Sequence, residues 1–218
     1  VEVAMKEALL SVSAALVAAI VIMILHELPK SIIYCVRSLA EWKEQPNYEL
    51  RRKRSARDIC KLWKYVDPIG LLLCVTTYSG FSKPYMYRMK DRKTNKIAGF
   101  TGFFILLLIA VLNILIIKTQ FIATDVNDFT IVHNNITILL SFYFFYFMAF
   151  ISTNMLLINL IPISTFDMGL LIAGYSPSKY FSIIKNDHYI KLILLFTVLL
   201  GIISTISGLI MNTLLVIL

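Results

Sequence analysis

His26-Glu27-Leu28-Pro29-Lys30 closes the first long apolar run of the chain. It carries the residues of a hydrolytic metal motif with the last letter changed. In H-E-x-x-H, two histidines at i and i+4 lie on one helix face and grip one zinc, while the Glu activates the bound water. His26 and Glu27 stand in their places here, and Lys30 takes that of the second His. A charged ammonium is not a metal ligand. Against a divalent ion about 4 Å away it would cost about 8 kcal/mol at an effective dielectric near 20. A structural zinc site gains only about 10–16 kcal/mol in all. The same ammonium could instead replace the metal's charge by pairing with Glu27 and a second carboxylate. Pro29 has no N–H to donate and clashes with the carbonyl one turn back, so it is expected to kink the helix and disturb the i, i+4 geometry.

A second polar stretch, Asn159-Leu160-Ile161-Pro162-Ile163-Ser164-Thr165-Phe166-Asp167-Met168-Gly169, ends another apolar run. A third, Tyr65-Val66-Asp67-Pro68-Ile69-Gly70, is followed by Gly80-Phe81-Ser82-Lys83-Pro84. Together, and in this order, they resemble the H-E-x-x-H, D-P-I-G, G-F-x-x-A-K-P and N-x-x-P…D-G segments of the site-2 proteases. These are intramembrane zinc metalloproteases, and the resemblance is to their small bacterial branch without PDZ domains. It covers about residues 20–175. The chain departs from the pattern at Lys30, at Pro29 and at Met168, which separates Asp167 from Gly169, and no G-P-x-x-N follows Gly102. The resemblance implies a zinc held by His26 and Asp167, with Lys30 in place of the remaining ligand. It also implies Glu27 as general base and Asn159 as a polarising amide, with Asp67 and Pro162 as further motif positions. It further implies an edge strand near residues 41–64, although no alternating pattern is visible there.

These residues need a membrane to position them. The chain is 58% hydrophobic and 16% charged, with a mean hydropathy of +0.77, far from the balance of a soluble domain. Nucleic acid is not the expected partner, despite a net charge of +8. The lipid bilayer is. Ala8–Leu28, Ile97–Ile117, Ile136–Ile161 and Leu192–Leu218 are each long enough to span. Ile69–Tyr78 is apolar but short, which fits a re-entrant or interfacial segment. Glu41–Lys64, centred on Arg51-Arg52-Lys53-Arg54, reads as a solvated loop beside anionic lipid, or as a dock for an acidic partner. Phe142-Tyr143-Phe144-Phe145-Tyr146-Phe147 reads as helix packing or an aromatic belt. Cys35, Cys60 and Cys74 lack C-x-x-C spacing and read as reduced structural thiols. The first apolar run shows no small-residue cleavage site and is expected to be retained.

Charge orients the spans. Residues 30–96 hold sixteen of the 21 Lys and Arg with six acids, a balance of +10, which leaves −2 for the rest. By the positive-inside rule this segment faces the cytoplasm and the acidic 119–135 segment faces out, with both termini outside. Lys30 and Asp167 then reach one depth, near the cytoplasmic face. Intramembrane ionisable residues usually mark function. His133, expected outside, and His188, near the last span, read as ordinary surface histidines.

The expected protein is a single polytopic, all-α membrane domain over residues 1–218. Its site-2 protease-like core covers about 8–175, and a further helix covers about 192–218. The expected function is that of a catalytically degenerate homologue that binds or regulates a membrane partner, with zinc weak or absent. An active zinc endopeptidase cutting a transmembrane substrate, and a scaffold or transporter-like protein, are the alternatives. The first requires stoichiometric metal, and the second requires the polar stretches to lie apart.

Overall fold

The computed structural model describes residues 2–41, 43, 44, 46–84, 91–122 and 136–217, so Asp125, Asp128 and His133 lie outside the described residues. All regular elements among these are helical. The long helices are α1 (Glu2–Glu41), α4 (Arg92–Ile117, continued by a π turn, Lys118–Ile122) and α5 (Ile136–Asn159). Shorter ones are α2 (Tyr48–Ile59), α3 (Pro68–Thr77) and α6 (Asp167–Tyr175). The C-terminal pair is α7 (Pro177–Leu199) and α8 (Ile202–Ile217). Among the described residues three helices are long and apolar enough to cross a membrane, and the bent pair α7–α8 makes a fourth if it is one span.

α1, α4 and α5 pack on one another. The Ala-rich start of α1 allows this, because Ala14, Ala15, Ala18 and Ala19 are buried against Leu106 of α4 and Ile151 and Met155 of α5. The opposite faces are apolar and exposed, including Leu9 and Val12 on α1 and Phe100, Phe104 and Leu107 on α4. A helix with apolar residues on all sides suits a lipid surround. The aromatic run packs as expected: Phe147 stacks on Tyr78 at 5.2 Å, and Tyr146 on Phe150 at 6.0 Å.

Two expectations change. The 41–64 segment is not all loop. Its Leu, Arg, Lys, Glu and Ala residues favour helix, and they form α2 without any apolar stripe. The fourth span is broken. Gly201, at φ +70°, turns the chain so that α7 and α8 meet at a 62° bend, and α7 reaches back through the polar 177–191 stretch to Pro177 at its first turn. α1 runs through Pro29 as one helix and carries the chain on to Glu41. One backbone bond is lost there, and the side chains on either side still meet.

α3 is the short apolar segment. Asp67 caps it, its Oδ1 accepting from the N–H groups of Ile69 at 3.0 Å and Gly70 at 2.9 Å, with Pro68 at the first helical position. Ten residues reach about 15 Å, too little to span. Tyr78, at φ 57°, turns the chain back along the helix. Gly70 and Gly80 let the returning segment, residues 79–84, lie against α3. A Cβ on Gly70 would overlap the Phe81 carbonyl, and one on Gly80 would overlap the Gly70 carbonyl and Cys74 Sγ. This close approach aims Ser82 at α1.

Candidate functional site

α1 brings His26, Glu27 and Lys30 to one face. Asp167, the first residue of α6, meets them there. The Lys30 ammonium donates to Glu27 Oε1 at 2.7 Å and to Asp167 Oδ1 at 2.8 Å, and lies 3.2 Å from His26 Nε2. Pro29 lies between these two residues, and their side chains meet at i, i+4. His26 Nε2 is 2.8 Å from Asp167 Oδ2. The four side chains are closed to solvent, with exposures of 1% for His26, 2% for Glu27, 1% for Lys30 and 0% for Asp167.

Hydrogen-bond logic constrains the protons. Ser82 Oγ donates to Glu27 Oε1 at 2.8 Å, so its remaining contact, 2.8 Å from His26 Nδ1, must accept from the imidazole. His26 is then a donor at Nδ1. At Nε2 it either carries a second proton for Asp167 or accepts one from a protonated Asp167. In the first state the cluster holds two cations and two anions, and in the second one of each. Both are neutral, as a buried ionic group must nearly be.

Asp167 is held from several directions. Asn159 Oδ1 accepts from the Asp167 N–H at 3.3 Å, and Asn159 Nδ2 donates to the Met155 carbonyl at 2.9 Å. In this geometry Asn159 positions Asp167, with both ends of its amide directed to backbone. Gly102 on α4 faces the Asp167 carboxylate so closely that a Cβ would overlap it. Pro162 lies exposed in the 160–166 connection, which releases the chain from α5 before Asp167. Behind the cluster, Ser31 Oγ bonds Tyr65 Oη at 2.8 Å and ties the 3-10 turn Leu62–Tyr65 to α1. Burial pushes the Tyr65 phenol above its ordinary range, so it remains a neutral hydroxyl.

The structure thus brings together His26, Glu27, Lys30, Asp167 and Asn159. It keeps Asp67 apart as the cap of α3. His188 is exposed on α7 beside Tyr189. Sequence reasoning missed Ser82 and Gly102. Both lay inside or beside stretches already singled out, and the available signal was their small size at a motif position. A groove of about 400 Å³ ends at Ser82; Leu73, Phe81, Phe166, Leu194 and Val198 give it apolar walls, and Asp67 and Lys191 also line it.

Among the described residues no group of three or more His, Cys, Asp or Glu is arranged to hold a metal ion. Lys30 Nζ lies within hydrogen-bond reach of His26, Glu27 and Asp167. Comparison with family models, curated proteins and solved structures finds no match to the chain.

Proposed function

We propose that this chain is a membrane pseudoprotease with the site-2 protease core. In this reading, the ammonium of Lys30 has taken over the charge and position of the metal. One observation carries it: a single buried nitrogen bridges Glu27 and Asp167 at 2.7 and 2.8 Å. A general base must be able to accept a proton from water. Glu27 Oε1 already accepts from both Lys30 and Ser82. What remains is a rigid, neutral cluster beside an apolar groove that reaches Ser82. That pairing suits engagement of an apolar segment of a membrane partner, without cleavage of it. The site then lies near the cytoplasmic face, where the basic 30–96 segment is expected.

Lys30→His tests the reading. It removes the ammonium and restores histidines at i and i+4. Zinc should then stabilise the folded state by mass action. Thermal unfolding in detergent should shift upward with micromolar zinc for Lys30→His and stay flat for the parent. Stoichiometric zinc in the purified parent, lost on His26→Ala, would instead establish a working metal site.

A further inference from the structure

Beyond the cluster, α1 continues to Glu41 and meets α2. In its twelve residues α2 carries Arg51, Arg52, Lys53, Arg54 and Arg57 against Glu49 and Asp58, and it buries none of its side chains. So short and polar a helix is marginal alone. Between it and the end of α1 lies a crevice of about 600 Å³, lined by Ser38, Asn47, Arg51, Arg54, Ser55 and Asp58 among others. Arg51 and Arg54 are three apart on one helix face. The acid, Asp58, bonds Lys61 at 3.1 Å and Lys64 at 3.3 Å, which offsets its charge. Ser38 Oγ, on the wall, is buried with no hydrogen-bond partner. Two guanidinium forks with hydroxyls and an amide beside them form a set that recognises phosphoryl oxygens.

The surroundings indicate what carries the phosphate. Val36 on α1 is 61% exposed, Leu50 on α2 is 74% and Trp63 in the following turn is 72%. Leu50 lines the crevice, and Val36 and Trp63 lie on the elements that flank it; a soluble acidic partner gives no reason for these side chains to be so exposed. A bilayer interface does: Trp and Leu enter the acyl boundary while Arg and Lys meet headgroups just past a span.

We propose that this crevice binds the phosphate of an anionic phospholipid. Arg51 and Arg54 hold its oxygens, Asn47 and Ser55 supply further bonds, and Leu50 and Trp63 sit among the acyl chains. The site stands whether or not the pseudoprotease reading does, since it uses none of the Lys30 cluster.

The test is thermal unfolding of the full chain in a neutral detergent, with a short-chain phosphatidylglycerol, the matching phosphatidylcholine or inorganic phosphate added. Phosphatidylglycerol should raise Tm, and the other two should not. Arg51→Ala/Arg54→Ala should weaken the effect about thirty-fold in midpoint concentration. Lys179→Ala/Lys185→Ala removes equal charge from exposed positions of α7 and should leave the effect intact. In the unmodified protein the shift should shrink as salt rises, a readout that needs no variant to fold. Equal shifts with phosphatidylcholine or with free phosphate would overturn the proposal. So would equal losses from the two double variants, a salt-independent shift, or a polyglutamate peptide that stabilises where the lipid does not.

Discussion

Lys30→Ala is the perturbation to which the site is most exposed. Lys30 Nζ makes two ion-pair contacts, 2.7 Å to Glu27 and 2.8 Å to Asp167, at 2% side-chain exposure or less for Lys30 and Asp167 and 3% for Glu27. At an effective dielectric near 20, each contact corresponds to about 6 kcal/mol of Coulomb attraction. The cost of desolvating three ions opposes it, several kcal/mol apiece, so the net worth of the bridge is much smaller. Removing one partner is a different operation, because it strands the other charges in the interior. One-sided removal of this kind costs about 3–5 kcal/mol. For a chain of this size that is a fall in Tm on the order of 6–20 °C. The assay is scanning calorimetry or nanoscale fluorimetry in one detergent at one pH. The triple variant Glu27→Gln/Lys30→Met/Asp167→Asn is the control, since it removes the ionisable groups of the bridge together, leaves His26 able to stay neutral, and should recover most of the loss. A Lys30→Ala protein melting within about 2 °C of the parent would refute the reasoning. A triple variant no better than the single one would show that shape and not charge sets the cost.

Other outcomes follow from the same geometry, each read as Tm in detergent. Gly102→Ala drives a methyl into the Asp167 carboxylate and should cost about 1–3 kcal/mol, whereas the same change at Gly208, which has only Phe150 near at 4.0 Å, should be mild. Asn159→Ala leaves the Asp167 N–H and the Met155 carbonyl without side-chain partners and should cost about 1–3 kcal/mol. Pro29→Ala should add up to about 3 kcal/mol of stability and so raise Tm, because α1 is already helical through this position and alanine restores a backbone donor; a lowered Tm would mean that the proline sets the local backbone path.

The cluster was legible because charge inside apolar runs is conspicuous. His26, Glu27 and Lys30 end one run and Asp167 follows the end of another, so the positive-inside count alone brings them to one depth. Asn159 was found too, but its partner was not, since a backbone N–H leaves no mark in a sequence. Ser82 has no charge and gains its meaning only when Gly70 and Gly80 fold the returning segment onto α3. The break at Gly201 was hidden because one glycine within an apolar run carries no information about its φ. α2 escaped because the 3.6-residue apolar period was the signal sought, and a helix that buries none of its side chains has no such period. The groove could not be read at all, because α3, the returning segment, the 160–166 connection and α7 each contribute a part of its wall.

The pairing of Glu27 with Lys30 also bears on how the chain enters the bilayer. The two residues lie three apart on α1, so they can neutralise one another as soon as that helix forms. α1 can therefore insert early, as a segment of almost no net charge at this depth. Asp167 is synthesised 137 residues after Lys30, and residues 160–175 include no Lys, Arg or His. The cation that Asp167 meets lies on another helix, so the same ammonium that is paired with Glu27 within α1 is also the group that α6 packs against.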